Sequence, residues 1–76
     1  MVNFKLLLLQ EWIEDDLDNI AFIVLSNKVF HRIRENNSRD QNLIDLCRLI
    51  LYEHGEHLRY LKQRIENDRG KIKELS

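Results

Sequence analysis

Seventy-six residues, a formal net charge of −1 and a single cysteine bound what this chain can be. A lone hydrophobic core at this length supplies only about 3–5 kcal/mol, and Cys47 by itself excludes an intrachain disulfide and any cysteine-rich zinc site. With charge so near zero, no global field draws the chain to nucleic acid or to a membrane surface, so oligomerisation is the remaining source of reinforcement.

From the N-terminus, Leu6-Leu7-Leu8-Leu9 follows Lys5 and stops at Gln10-Glu11, shorter than a secretory apolar region of about 7–15 residues. The run Ile20–Leu25 is also far below the roughly 20 residues that span a bilayer. These features predict a soluble, cytoplasmic protein in a reducing compartment, with no membrane partner. Asn3 is a candidate N-cap for a first helix over residues 4–35. Its weakest stretch is Glu14-Asp15-Asp16-Leu17-Asp18-Asn19, where like charges and poor helix formers cluster; a break there would give three helices. The strand-like run from Ile20 to Leu25 has no second strand to pair with, and the sequence after it loses the two-residue alternation.

Residues 36–39 form the turn, within the polar stretch Asn36-Asn37-Ser38-Arg39-Asp40-Gln41. Ser38 with Gln41 three residues later fits a capping box, and Asp40 is the alternative cap. A second helix over 40–74 repeats Leu43, Leu46, Cys47, Ile50, His54, Leu58, Leu61, Ile65 and Ile72 at three- and four-residue steps. Gly55 interrupts it, either for a close backbone approach or as a tolerated defect. The fold class is therefore all-α: a single domain over residues 1–76, an antiparallel two-helix hairpin.

Helix one carries apolar residues on two sides: Leu9, Trp12, Ile13, Leu17, Ile20 and Val24 on one, Phe22, Leu25, Val29 and Ile33 on the other. A helix apolar nearly all round must be buried on more than one face, which a hairpin alone cannot do. The hairpin is thus expected to dimerise into a four-helix bundle, through Leu17, Ile20, Phe22, Ile23, Val24, Leu25, Ile50, His54 and Leu58. A turn centred near residues 37–38 would set neighbours whose numbers add to about 75, placing Glu11, Glu14, Asp15 and Asp18 beside His57, Tyr60 and Leu61, with Arg59, Lys62 and Arg64 flanking.

Chemistry-bearing patterns are few. No glycine-rich phosphate loop or nucleophile elbow is present, and of the three serines Ser38 sits at the turn and Ser76 at the terminus, with Ser26 inside the first helix, so no catalytic residues, cofactor or enzymatic activity are expected. Glu53-His54-Gly55-Glu56-His57 lacks the Glu-x-x-His spacing of bundle metal sites; His54 reads as an interface histidine with a satisfied hydrogen bond, His57 as a rim partner of Asp18. Cys47 reads as a small core hydrophobe. Trp12 and Phe4 are candidate partner anchors, and Trp12 fits the apolar side of helix one equally well.

Arg48, Arg59, Lys62, Arg69 and Lys73 fall within an arc of about 80° on helix two. Such a stripe can track a phosphate backbone, including duplex RNA read by shape, or can be a solvated flank; no aromatic residues interleave it to stack on bases. The outline resembles small helical-hairpin dimers such as plasmid Rop-type regulators and nodavirus-type RNA-silencing suppressors. That resemblance is one of shape and transfers no site residue. The sequence thus predicts a non-enzymatic homodimer that regulates by binding another protein, with duplex nucleic-acid binding, RNA before DNA, as the alternative.

Overall fold

A computed structural model describes residues 3–76. Two helices, α1 (Phe4–Asn36) and α2 (Gln41–Leu75), fold back on each other and form a rod whose Cα extents are 61 × 15 × 12 Å. Among the described residues there is no strand. Helix α1 runs unbroken through the acidic stretch from Glu14 to Asn19. Asn3 caps it, its Oδ1 accepting from the Leu6 amide at 3.3 Å. At the other end, Asn37 folds back on Ile33 O through both its backbone N–H and its side-chain amide, so two donors share one carbonyl of the helix's last turn.

The cap of α2 is Asp40, whose carboxylate accepts from the Leu43 amide at 3.1 Å. The capping box expected at Ser38 is not formed. Asp40 is the better choice because an ionised acceptor at the positive end of the helix dipole gains from both hydrogen bond and charge.

A single seam holds the hairpin. From α1 it takes Leu6, Leu9, Ile13, Asp16, Ile20, Ile23, Asn27 and Phe30, and from α2 Ile44, Cys47, Leu51, His54, Leu58, Leu61, Ile65, Asp68 and Ile72, all buried or half-buried. Both sets alternate steps of three and four residues, the heptad pattern of an antiparallel coiled coil. Helix α1 is rotated slightly from the expected orientation: Trp12, Leu17 and Val24, expected on its inner side, are about half exposed. The seam instead passes through Asp16 and Asn27, polar residues that an apolar pattern steps around.

Register differs from expectation as well. Asp16 meets Arg64 and Asn27 meets His54, so facing residues add to about 80 rather than about 75. The helix ends at Asn36 and Gln41 account for part of this shift. The rest comes from side-chain direction: helical side chains lean about one position toward their own N-terminus, and in an antiparallel pair the two leans add. As a result, Glu11, Glu14, Asp15 and Asp18 make no ion pair across the hairpin among the described residues; the acid that crosses is Asp16.

The added Cβ of an alanine at Gly55 would meet nothing within 4 Å, so this glycine serves no close approach. Gly55→Ala is expected to raise unfolding free energy by about 0.5–1 kcal/mol. Leu61→Ala, at a side chain only 1 % exposed, is expected to cost about 2–5 kcal/mol, which at this size abolishes most of the folded population at low concentration. Urea unfolding followed by circular dichroism checks both; equal effects of the two changes would show that Leu61 is not in the seam.

Candidate functional site

Two polar cross-links interrupt the seam. Arg64 forks onto Asp16: Nε donates to Oδ2 at 2.8 Å and an Nη donates to Oδ1. The Asp16 side chain is fully enclosed while that of Arg64 remains 44 % exposed, so the arginine lies along the rod with its head turned inward. Its guanidinium also sits 5.4 Å from the centre of the Tyr60 ring one turn earlier. The hydrogen bonds from Arg64 hold the Asp16 carboxyl below the usual carboxylate range, against the opposing effect of burial, and nearby positive charge on Arg64 and His57 adds to the lowering. Arg64 is raised in turn, first by its hydrogen bond to Asp16 and then by Tyr60.

Farther toward the turn, His54 Nδ1–H donates to Asn27 Oδ1 at 2.6 Å; an amide oxygen only accepts, which places the imidazole proton on Nδ1. The Phe30 ring meets His54 edge-on, with centroids 5.9 Å apart. His54 thus has a satisfied hydrogen bond, as expected, but its partner lies in the same chain. His57 is exposed and forms no ion pair with Asp18 among the described residues. Asp68 is buried in the distal seam, and its Oδ2 has no hydrogen-bond partner among the described residues. It lines an open groove of about 540 Å³ with Trp12, Asp15, Asn19, Arg64 and Lys71. Among the described residues, no three His, Cys, Asp or Glu side chains gather in a way that could hold a metal ion, and no described helix is long and apolar enough to cross a membrane.

Grooves on either side of the seam define two broad faces. Trp12 and Asn19 share the groove just described with Arg64 and Lys71. Leu17 and Ile20 share another, about 330 Å³, with Lys62, Ile65 and Arg69. Because the pattern repeats every seven residues, stepping by seven carries each face along the rod. The first face then holds Phe22, Val29 and Ile33 from α1 and Leu43, Leu46, Ile50 and Tyr60 from α2. Between Phe22 and the turn its titratable side chains are Glu53 and His57. The second face holds Arg48, Arg59, Lys62, Arg69 and Lys73, all exposed, with Asp45 and Glu66 interspersed and with Glu14, Lys28 and Glu35 in one column of α1 beside them. Arg59 is engaged within its own helix, 3.5 Å from Glu56.

The residues expected at a dimer interface divide along the same lines. Ile20, Ile23, His54 and Leu58 belong to the hairpin's own seam, with Ile23 buried there. Phe22 and Ile50 lie on the apolar face, Leu17 and Val24 on the basic one, and Leu25 on the back of α1. Phe4 is exposed near the N-terminus. Cys47, buried and free, packs in the seam. Asp16, Asn27 and Asp68 were missed by reading apolar periodicity; counting every seventh residue from Leu9 or Cys47 passes through two of them.

No protein-family model matches this chain, and no curated protein or solved structure is significantly similar to it.

Removing one member of the buried pair has an unequal effect from removing the other. Arg64→Leu leaves the Asp16 carboxylate enclosed without its partner and is expected to lower the thermal midpoint clearly. Asp16→Leu puts an apolar side chain into the seam, frees Arg64 to water, and is expected to leave the midpoint unchanged or raised. The pair's contribution is fully present above the ordinary aspartate value of 3.8 and is lost as pH falls through the lowered folded value. Thermal melts from pH 7 downward should therefore show an acid loss in the parent that is smaller in Asp16→Leu; identical pH profiles would mean that the pair contributes nothing.

Proposed function

We propose that this chain is a non-enzymatic helical interaction module that works as a homodimer in the cytoplasm and regulates by binding another protein. The observation that carries this reading is surface. The chain exposes 6246 Å², whereas a monomer of 9.2 kDa ordinarily exposes about 4,900 Å². The excess of about 1,300 Å² exceeds the roughly 800 Å² each partner contributes to a standard interface. Large side chains make up much of it: Phe22 is 70 % exposed and Leu25 62 %. A seam one heptad stripe wide leaves the rest of an all-round apolar helix in water, and association is the physical remedy. The grooves are open and shallow, which supports recognition of a surface rather than enclosure of a substrate.

On this reading the hairpin's stability depends on protomer concentration. Sedimentation equilibrium is expected to give twice 9.2 kDa at micromolar concentration, and the thermal midpoint is expected to rise on concentrating the protein. A single 9.2 kDa species with a concentration-independent midpoint would refute it.

A second reading has its own observation. The five basic residues singled out from the sequence share one exposed face with Lys28, a surface able to follow a phosphate backbone. That reading expects tighter binding to duplex RNA than to duplex DNA or single-stranded RNA at about 0.05 M salt, sharply weakened at about 0.2 M, and lost in Arg59→Glu/Lys62→Glu with helicity intact. Absence of binding at the lower salt would remove it.

A further inference from the structure

The proposed homodimer leaves open which surface joins the copies and how they are oriented, and the distribution of side chains on the two faces bears on both. The face carrying Phe22, Val29, Ile33, Leu46, Ile50 and Tyr60 is mainly apolar from the turn to mid-rod, interrupted by Ser26, Glu53 and His57. Pairing the opposite faces instead would gather the basic stripes of both copies into one interface, with Asp45, Glu66, Glu14 and Glu35 offsetting them only in part, a net like-charge juxtaposition with a desolvation cost. We infer that a second copy of this chain covers the apolar face, the two hairpins stacking face to face with their turns at the same end and their basic faces outward. This inference rests on the homodimer reading above.

The orientation follows from the uneven composition of the face along the rod. Its turn-proximal half is mainly apolar, while its distal half carries Asp15, Arg64, Lys71 and Glu74 around Leu8 and Trp12. A full overlap with turns at opposite ends would press each apolar half onto the charged half of its partner. That arrangement would strip water from charges without giving them partners. With turns at the same end, apolar meets apolar. The distal halves then meet as well, where the acids and bases of one copy face those of the other and the half-exposed Trp12 rings approach each other. An isologous interface of this kind is self-complementary by symmetry. The outcome is a four-helix bundle in which each helix buries a second stripe.

Two experiments test the face and the orientation separately from dimerisation itself. Phe22→Glu/Leu46→Glu changes two side chains that are exposed in the hairpin, so folding of the protomer does not require them; it is expected to weaken dimerisation at least about 100-fold by sedimentation. Val24→Glu/Lys62→Glu on the basic face is expected to change it less than about threefold, with helicity by circular dichroism monitored in both. The reverse pattern would overturn the choice of face while leaving the homodimer standing; a parent that is monomeric throughout would overturn both. For orientation, a spin label on Ser76→Cys in a Cys47→Ala background reads the distance between the two distal ends by pulsed electron resonance. Turns at the same end place the labels within a few helix diameters, about 20–40 Å. Turns at opposite ends separate them by close to the 61 Å length of the rod, and that result would overturn the stated arrangement.

Discussion

The alignment of the two helices depends on the fork between Arg64 and the enclosed carboxylate of Asp16, acting with the Asn27–His54 bond. A heptad seam is degenerate: sliding α2 past α1 by seven residues brings largely aliphatic positions back into contact. The two polar cross-links remove that degeneracy, because both are made at the same offset and both would be broken by the slide, leaving a buried carboxylate without its guanidinium. Polar residues in coiled-coil seams are best known for setting register in this way, at some cost in stability.

That cost is visible in the seam itself. Asp16, Asn27, His54 and Asp68 occupy positions that would otherwise hold aliphatic side chains, and Asp68 keeps an unpartnered oxygen. Among the described residues the buried apolar side chains are few: Leu9, Ile23, Cys47, Leu61 and Ile65. A seam so narrow and so diluted by polar groups gives a small core, while the remaining apolar surface of α1 stays outside the hairpin. The same geometric fact, one stripe buried where the sequence supplies two, underlies both the modest intrachain core and the case for association. It also separates two chemistries: the face on one side of the seam is mainly apolar near the turn, and the face on the other is basic. A flat two-helix rod has only these two broad sides, so each is available for a different task.

Much of the fold was legible from residue order. The absence of proline, the polar stretch at 36–41 and the three-and-four spacing after it dictate two long helices and a reversal between them, since local propensity and periodicity act over a few residues. Helix bounds fell within about a residue of those expected, and Asn3 caps as its position suggests. The excess of apolar surface on α1 was also present in the pattern, because a helix apolar on all sides cannot be covered by one neighbour.

Tertiary structure decided what depends on two helices at once. Which side of α1 faces α2 was misjudged by a small rotation because Asp16 and Asn27, polar in sequence, become acceptable in the seam only when Arg64 and His54 arrive from 48 and 27 residues away. Register moved for the same reason and because opposed side-chain leans add in an antiparallel pair. The basic stripe could be placed on α2 from sequence, but that it shares a broad face with Leu17, Val24 and Lys28, opposite Phe22 and Leu46, is a property of the pair. Periodicity determines which residues share one helix face; only packing determines what that face looks upon.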